Sequence, residues 1–244
     1  MPREWDATTY DALTLPHEQW GRGVLDRLRL TGDEVVLDAG CGTGRDAAAL
    51  RARWPGVRLV ALDGSQQMLE VARTRLGDKR VTYVQADLMA PLPVEEPVDA
   101  VMSVAAFHWV PDHDLLFSHL AAVMRPGARL ASDCGGRGNV VDVTRAIAQV
   151  TGEEPSEWEF ADDVGTRVRL ETAGFAVEDV RLRPDPFRCE DEVVLETYLA
   201  TVVLGTHLDA RPADEHAAFV REVRRALSAP VVDYVRLEIE AVRR

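Results

Sequence analysis

Apolar residues along this chain fall into short runs, and between the runs they recur at helical spacing. The run Glu34-Val-Val-Leu-Asp38 is short and continuously apolar, which reads as a buried strand. Thr43 to Arg53 follows as a helix with Ala47, Ala48 and Leu50 on its inner face. Pro55-Gly56 breaks it, and Arg58 to Leu62 is a second strand. Ser65 offers an N-cap to a helix carrying Met68, Leu69, Ala72 and Leu76. Val81 to Gln85 and Val98 to Val104 are the third and fourth strands. Asp112 can cap a helix through Leu115, Leu116, Leu120 and Val123 that stops at Arg125-Pro-Gly127, and Ala128 to Asp133 is a fifth strand. Strand and helix in alternation imply right-handed crossovers and an α/β, doubly wound, mostly parallel sheet covered on both faces.

The second half changes character. Arg137 to Val150 and Asp163 to Thr172 read as helices, the latter ending at Gly174 before a strand from Ala176 to Leu182. Pro184-Asp-Pro186 breaks the pattern, Glu190 to Leu204 and Ala213 to Leu227 are two more helices, and Val231 to Val242 alternates as a last strand. No repeat, low-complexity tract or linker divides the chain, so one domain over residues 1–244 is expected. Within it the pattern marks an N-terminal lid segment (1–30), a core (34–133) and a helical cap insertion (184–230) placed to cover a pocket mouth.

Composition narrows the function. With 46% hydrophobic and 28% charged residues the chain is globular rather than disordered. The net charge of -13 disfavours a nucleic-acid partner, which needs a basic surface. Cys41, Cys134 and Cys189 are scattered, with no CxxC or Cys/His cluster, so no metal site is expected. The N-terminus has no apolar signal core and no run reaches membrane-spanning length. These features point to a cytoplasmic monomer or homodimer acting on a small molecule, away from membranes.

The chemistry concentrates where strands end. Asp38-x-Gly40-x-Gly42-x-Gly44 closes the first strand and opens a helix, so the backbone can turn sharply and approach a ligand. A dinucleotide fingerprint would place a glycine where Arg45 stands, and no Walker lysine follows. Asp63, closing the second strand, can accept two hydrogen bonds from a ribose diol. Asp87, after the third, can accept from an adenine amine while Leu88 packs on the ring.

The series Leu37-Asp-Ala-Gly-Cys-Gly-Thr-Gly44, Asp63, Ala86-Asp87 and Arg125-Pro-Gly127 closely resembles the class I S-adenosylmethionine-dependent methyltransferases. The resemblance implies a Rossmann-like methyltransferase fold, a seven-stranded sheet whose last hairpin is reversed. It also implies S-adenosyl-L-methionine as cofactor, with Gly40 and Gly42 packed against it, Asp63 on the ribose and Asp87 facing the adenine. Further expected cofactor contacts are Tyr10, Gln19, Asp38, Ala39, Cys41 and Gly44, then Gly64, Met68, Ala86, Leu88 and Val104. Ala106-Phe-His-Trp-Val-Pro-Asp-His-Asp114, with the Trp5, Tyr10 and Gln19-Trp20 stretch, looks like the trans-aconitate methyltransferases, which implies carboxyl O-methylation of a small acid.

The expected substrate residues are Trp20, Phe107, His108, Trp109 and Arg137. His108 is a candidate general base, or else a residue that packs and hydrogen-bonds in its loop. Trp109 is a pocket wall or a stacking plate. Tyr10, Gln19 and Trp20 form a lid, or belong to a docked surface helix. Cys41 reads as a small turn residue rather than a nucleophile. Arg137 and Arg45 are the candidate cations for an acidic substrate. The alternatives are C- or N-methylation in secondary metabolism, or cofactor binding without methyl transfer.

Overall fold

A computed structural model describes residues 17–244. Its main sheet has seven strands: β1 (Val35–Ala39), β2 (Arg58–Asp63), β3 (Val81–Gln85), β4 (Val98–Val104), β5 (Met124–Gly135), β6 (Phe175–Pro184) and β9 (Val235–Arg243). They lie in the order β3-β2-β1-β4-β5-β9-β6. Strands β1 to β5 run parallel, and β9 is antiparallel to both β5 and β6. The reversed last hairpin is therefore present, and the sheet is doubly wound and mostly parallel.

The pleat explains the two covered faces. On one side Val36, Leu59, Ala61, Ala100 and Met102 pack with Val24 and Leu28 of helix His17–Leu28, Ala47 and Leu50 of helix Arg45–Arg53, and Ala72 of helix Gln66–Leu76. On the other, Leu37, Val101, Leu130, Leu237 and Ile239 meet Leu116 and Leu120 of helix His113–Val123 and Leu170 of helix Asp163–Thr172. Burial on both faces is why β1 reads as an unbroken apolar run. The helix starts follow local chemistry. Ser65 accepts the Met68 N–H at 3.2 Å, and Asp112 accepts those of Asp114 and Leu115 at 3.0 Å.

A third apolar cluster stands beyond the carboxyl ends of the strands. It joins helix Val141–Thr151 to the late helices Glu192–Tyr198 and His216–Ala226 through Val143, Ile147, Leu195, Tyr198, Phe219 and Val223.

Several boundaries differ from the sequence pattern. The fifth strand begins at Met124, not Ala128, because Met124 already pairs with Val98 and a register shift before Ala100 absorbs the residues around Pro126. The first crossover helix begins at Arg45, since Gly44 holds a left-handed φ of 77°. The helix expected from Arg137 starts at Val141, leaving 137–140 as a loop with Val140 at φ 48°. The helix expected over Glu190 to Leu204 starts after its cap Asp191, then widens into a π-turn at Leu199–Val203. The last strand divides: β8 (Val231–Val232) pairs with β7 (Phe187–Arg188) in a separate ribbon, and β9 resumes at Val235.

Candidate active site

The chain runs outward from β1 to β2 and β3, then returns to β4 on the other side of β1. The crossovers diverge at that switch point and leave a crevice at the carboxyl ends of the strands. A cavity of about 510 Å³ opens there.

The glycine turn forms one wall. Gly40 and Cys41 donate their N–H groups to the Leu62 carbonyl at 2.8 and 2.9 Å, which folds the turn back onto β2. Gly40 has φ 83°, and a Cβ there would collide with the Ala106 side chain; at Gly42, φ 52°, a Cβ would meet nothing within 4 Å. Asp63 holds this turn from the side. One carboxylate oxygen accepts the Gly42 N–H at 2.8 Å and the other the Ser65 N–H at 2.9 Å. Asp87 accepts the Met89 N–H at 2.9 Å.

Asp38 is 2% exposed, and its Oδ2 has no hydrogen-bond partner among the described residues. Burial, and secondarily the charges of Asp46 and Asp63, push its carboxyl well above the usual carboxylate range. A buried acceptor of this kind is completed by a cationic donor. The Cys41 thiol is also pushed well up, by burial first and then by Asp38 and Asp63, so it is no nucleophile at neutral pH.

The opposite wall is aromatic. His108 and Trp109 sit on the short 3-10 turn after β4. The loop carrying Trp158 and Phe160 docks on them, with the Glu159 N–H on the His108 carbonyl at 2.9 Å. Trp158 and Phe160 are stacked at 5.6 Å, Trp109 lies 5.9 Å from Trp158, and His108 lies 6.0 Å from Phe160. The tautomer of His108 follows from one bond: the Gly135 backbone N–H donates to its Nδ1 at 3.2 Å. A neutral ring held this way carries its proton on Nε2, which makes that edge a hydrogen-bond donor in this tautomer.

Arg236 enters from β9, opposite Gly135 in the β5 pairing. It is 1% exposed, its Nε donates to Asp133 at 2.7 Å, and its guanidinium lies 3.6 Å from the Trp20 ring centroid. Asn139 is buried beside them and accepts the Val235 N–H at 2.9 Å.

Of the residues expected from sequence, Asp38, Gly40, Cys41 and Gly42 line the cavity, as do Asp63, Gly64, Met68, Ala86, Asp87, Leu88 and Val104. Trp20, His108, Trp109 and Arg45 line it too. Others do not. Ala39 is fully buried within β1, and Gly44 packs against Leu76 and Ala72. Phe107 turns into the core against Phe117, Gln19 is exposed, and Tyr10 lies outside the described residues. Arg137 is 71% exposed and ion-paired with Asp162, away from the cavity, because the loop after β5 turns its side chain out to the N-cap of helix Asp163–Thr172. Sequence reasoning missed Asn139, Trp158, Phe160, Tyr234 and Arg236, which also line the cavity.

Residues 36–127 match the family described as "Methyltransferase domain". The trans-aconitate 2-methyltransferase of Azoarcus sp. (strain BH72) is 39% identical over 127 residues, which are 52% of this chain and 49% of that protein. This chain thus spans about half the length of that curated relative. Among solved structures, the YcgJ protein from Bacillus subtilis aligns with TM-score 0.68 at 17% identity, covering 93% of this chain and 99% of that one. Geranyl diphosphate C-methyltransferase from Streptomyces coelicolor A3(2), solved with Mg2+, geranyl diphosphate and S-adenosyl-L-homocysteine, aligns with TM-score 0.62 at 16% identity over 97% of this chain and 82% of that one. At these identities the structural likeness concerns the fold.

Proposed function

We propose that this chain, which carries the methyltransferase domain of the class I S-adenosylmethionine-dependent enzymes, transfers a methyl group to a carboxylate oxygen of a small organic acid. The cavity's residues suit the cofactor. The unpaired Asp38 oxygen is a fitting acceptor for its ammonium group, Asp63 for the ribose diol, and Asp87 for the adenine amine. When bound, S-adenosylmethionine supplies a methyl group on a positively charged sulfur. The protein's task is then to desolvate the acceptor and hold it in line with that methyl.

The observation that carries the choice of acceptor is the Gly135 N–H on His108 Nδ1. Amines, phenols and carbon acids arrive with a proton to lose and call for a base. In that tautomer the imidazole edge is a donor, which suits an oxygen already ionised at neutral pH. A carboxylate meets that condition and needs no proton removed. The similarity to a trans-aconitate 2-methyltransferase, an enzyme named for an acid substrate, supports the same reading.

Calorimetry should detect S-adenosylhomocysteine binding with no comparable binding of NAD. Incubation with S-adenosylmethionine and a panel of organic acids should then release S-adenosylhomocysteine and a methyl ester. If only amines or phenols were methylated, the carboxylate assignment would fall while the cofactor assignment stood.

A further inference from the structure

Granting the carboxylate reading, we propose that the acid is a flat, largely apolar monocarboxylate, with an aromatic or conjugated body, rather than a compact polycarboxylate. Among the described residues, the polar donors on the substrate side of the cavity gather at one spot, around Gly135. The His108 ring takes the Gly135 N–H, and Arg236 lies opposite Gly135 across the β5–β9 pair. The Asn139 amide nitrogen stands 2.8 Å from where a Gly135 Cβ would be. That is a docking place for one carboxylate. The glycine is required there, since a Cβ would also come within 2.8 Å of the Phe160 ring.

Away from that spot the walls are rings and branched aliphatics. The stacked Trp158–Phe160 pair, Trp109 and Tyr234 present aromatic surface, and Val202 and Val203 of the π-turn add aliphatic surface. A planar apolar body matches such walls, because aromatic pairs gain from offset and edge contacts.

The charges argue the same way. Among the described residues lining the cavity, Arg45 and Arg236 face Asp38, Asp46, Asp63 and Asp87. Arg236 already shares its charge with Asp133. The other described cation lining the cavity, Arg45, opens the helix after the glycine turn, so a tricarboxylate would leave further anionic groups desolvated against the aromatic faces, which is strongly unfavourable. The net charge of -13 opposes the approach of a polyanion as well. In the transfer step, a carboxylate oxygen forms a bond to the methyl carbon. The carbon–sulfur bond breaks with its electron pair remaining on sulfur, and the products are a neutral ester and S-adenosylhomocysteine, with no proton released.

The test titrates trans-cinnamate and trans-aconitate into the full chain saturated with S-adenosylhomocysteine. Cinnamate should bind at least about tenfold more tightly. Trp158→Leu should weaken cinnamate at least about tenfold and leave S-adenosylhomocysteine affinity unchanged. Phe160→Leu provides a second probe of the same wall should Trp158→Leu fold poorly. Equal or tighter binding of trans-aconitate, no binding of cinnamate, or cinnamate affinity indifferent to the wall substitutions would overturn the inference. Methyl ester formation is measured separately. If cinnamate binds by these criteria but is not esterified, the acid class stands and the carboxylate reading falls; if trans-aconitate is esterified and cinnamate does not bind, the reverse holds.

Discussion

Asp63 gives the most informative perturbation, because it holds the glycine turn and, on the proposed function, also accepts from the cofactor's ribose. Its carboxylate accepts the N–H groups of Gly42 and Ser65 at 2.8 and 2.9 Å. Hydrogen bonds to charged groups contribute about 1.5–3 kcal/mol each, and partial exposure places these near the low end. Asp63→Ala should therefore cost the ligand-free protein about 2–4 kcal/mol. At about 2–4 °C per kcal/mol for a chain of this size, Tm should fall by roughly 5–15 °C. Asp63→Asn keeps one acceptor but turns an amide donor toward the other N–H, so it should fall between wild type and the alanine variant. The ribose loses an acceptor of similar strength, which weakens S-adenosylhomocysteine roughly 10- to 150-fold. Calorimetric melting without ligand and isothermal titration with it separate the two roles. A ligand-free Tm within a degree or so of wild type would refute the structural role, and unchanged affinity would place the ribose elsewhere.

Other outcomes follow from the same geometry. Asp38 has a folded-state pKa raised by burial and by its acidic neighbours; its contribution to stability is therefore present below the unfolded value of about 3.9 and is lost as pH rises through the folded value. The Tm of wild type relative to Asp38→Asn should fall across that rise, and cofactor binding should release a proton, detectable as a buffer-dependent heat; a constant Tm difference would show that Asp38 does not titrate there. His108→Gln, which retains an acceptor and a donor, should keep methyl transfer within about tenfold of wild type, whereas a loss beyond about a hundredfold would restore a base role. Residues 190–208 should gain hydrogen-exchange protection when product cofactor and acid bind together, because Val202 and Val203 of the π-turn line the cavity; protection confined to Asp38–Gly44, Asp63 and Asp87 would make the late helices purely structural.

The half of the cavity around the glycine turn was legible because its residues are local in sequence. Asp38, Gly40 and Gly42 stand within one turn, and Asp63 and Asp87 each follow a strand whose apolar run marks its own end. The doubly wound, mostly parallel sheet followed from the same alternation, and its reversed last hairpin from the family resemblance. What failed was finer. Nothing in the sequence announces that β5 starts before Pro126, since that depends on a register shift against β4. Arg137 and Arg45 drew attention as arginines following strands, yet only the direction of each side chain decides whether it meets the cavity. For His108, the sequence left base and loop residue as alternatives, and a single backbone N–H from a strand 27 positions away favours a donor.

Arg236 shows why the substrate half stayed hidden. In Val235-Arg-Leu-Glu-Ile-Glu240 the alternation sends Leu237 and Ile239 to the core and Arg236, Glu238 and Glu240 to the other face, which by pattern alone would be solvent. That face is instead closed by charge pairing and by helix His17–Leu28. Glu238 bonds Arg181 and Arg183 at 2.8 and 2.7 Å with Arg27 nearby, and Arg236 bonds Asp133. Trp20 from that helix covers the guanidinium and donates its ring N–H to Asp185 at 2.5 Å. Burial outweighs the attraction of Arg236 and raises the Asp133 pKa, so the pair carries a desolvation cost, while the 2.7 Å bond and the Trp20 ring fix the guanidinium in place. An incoming carboxylate therefore meets a cation already half neutralised and fixed in place. Such a group gives direction to one anionic oxygen pair but has little charge left to draw in a second or a third, and the aromatic rings around it are what remain to choose among monoacids.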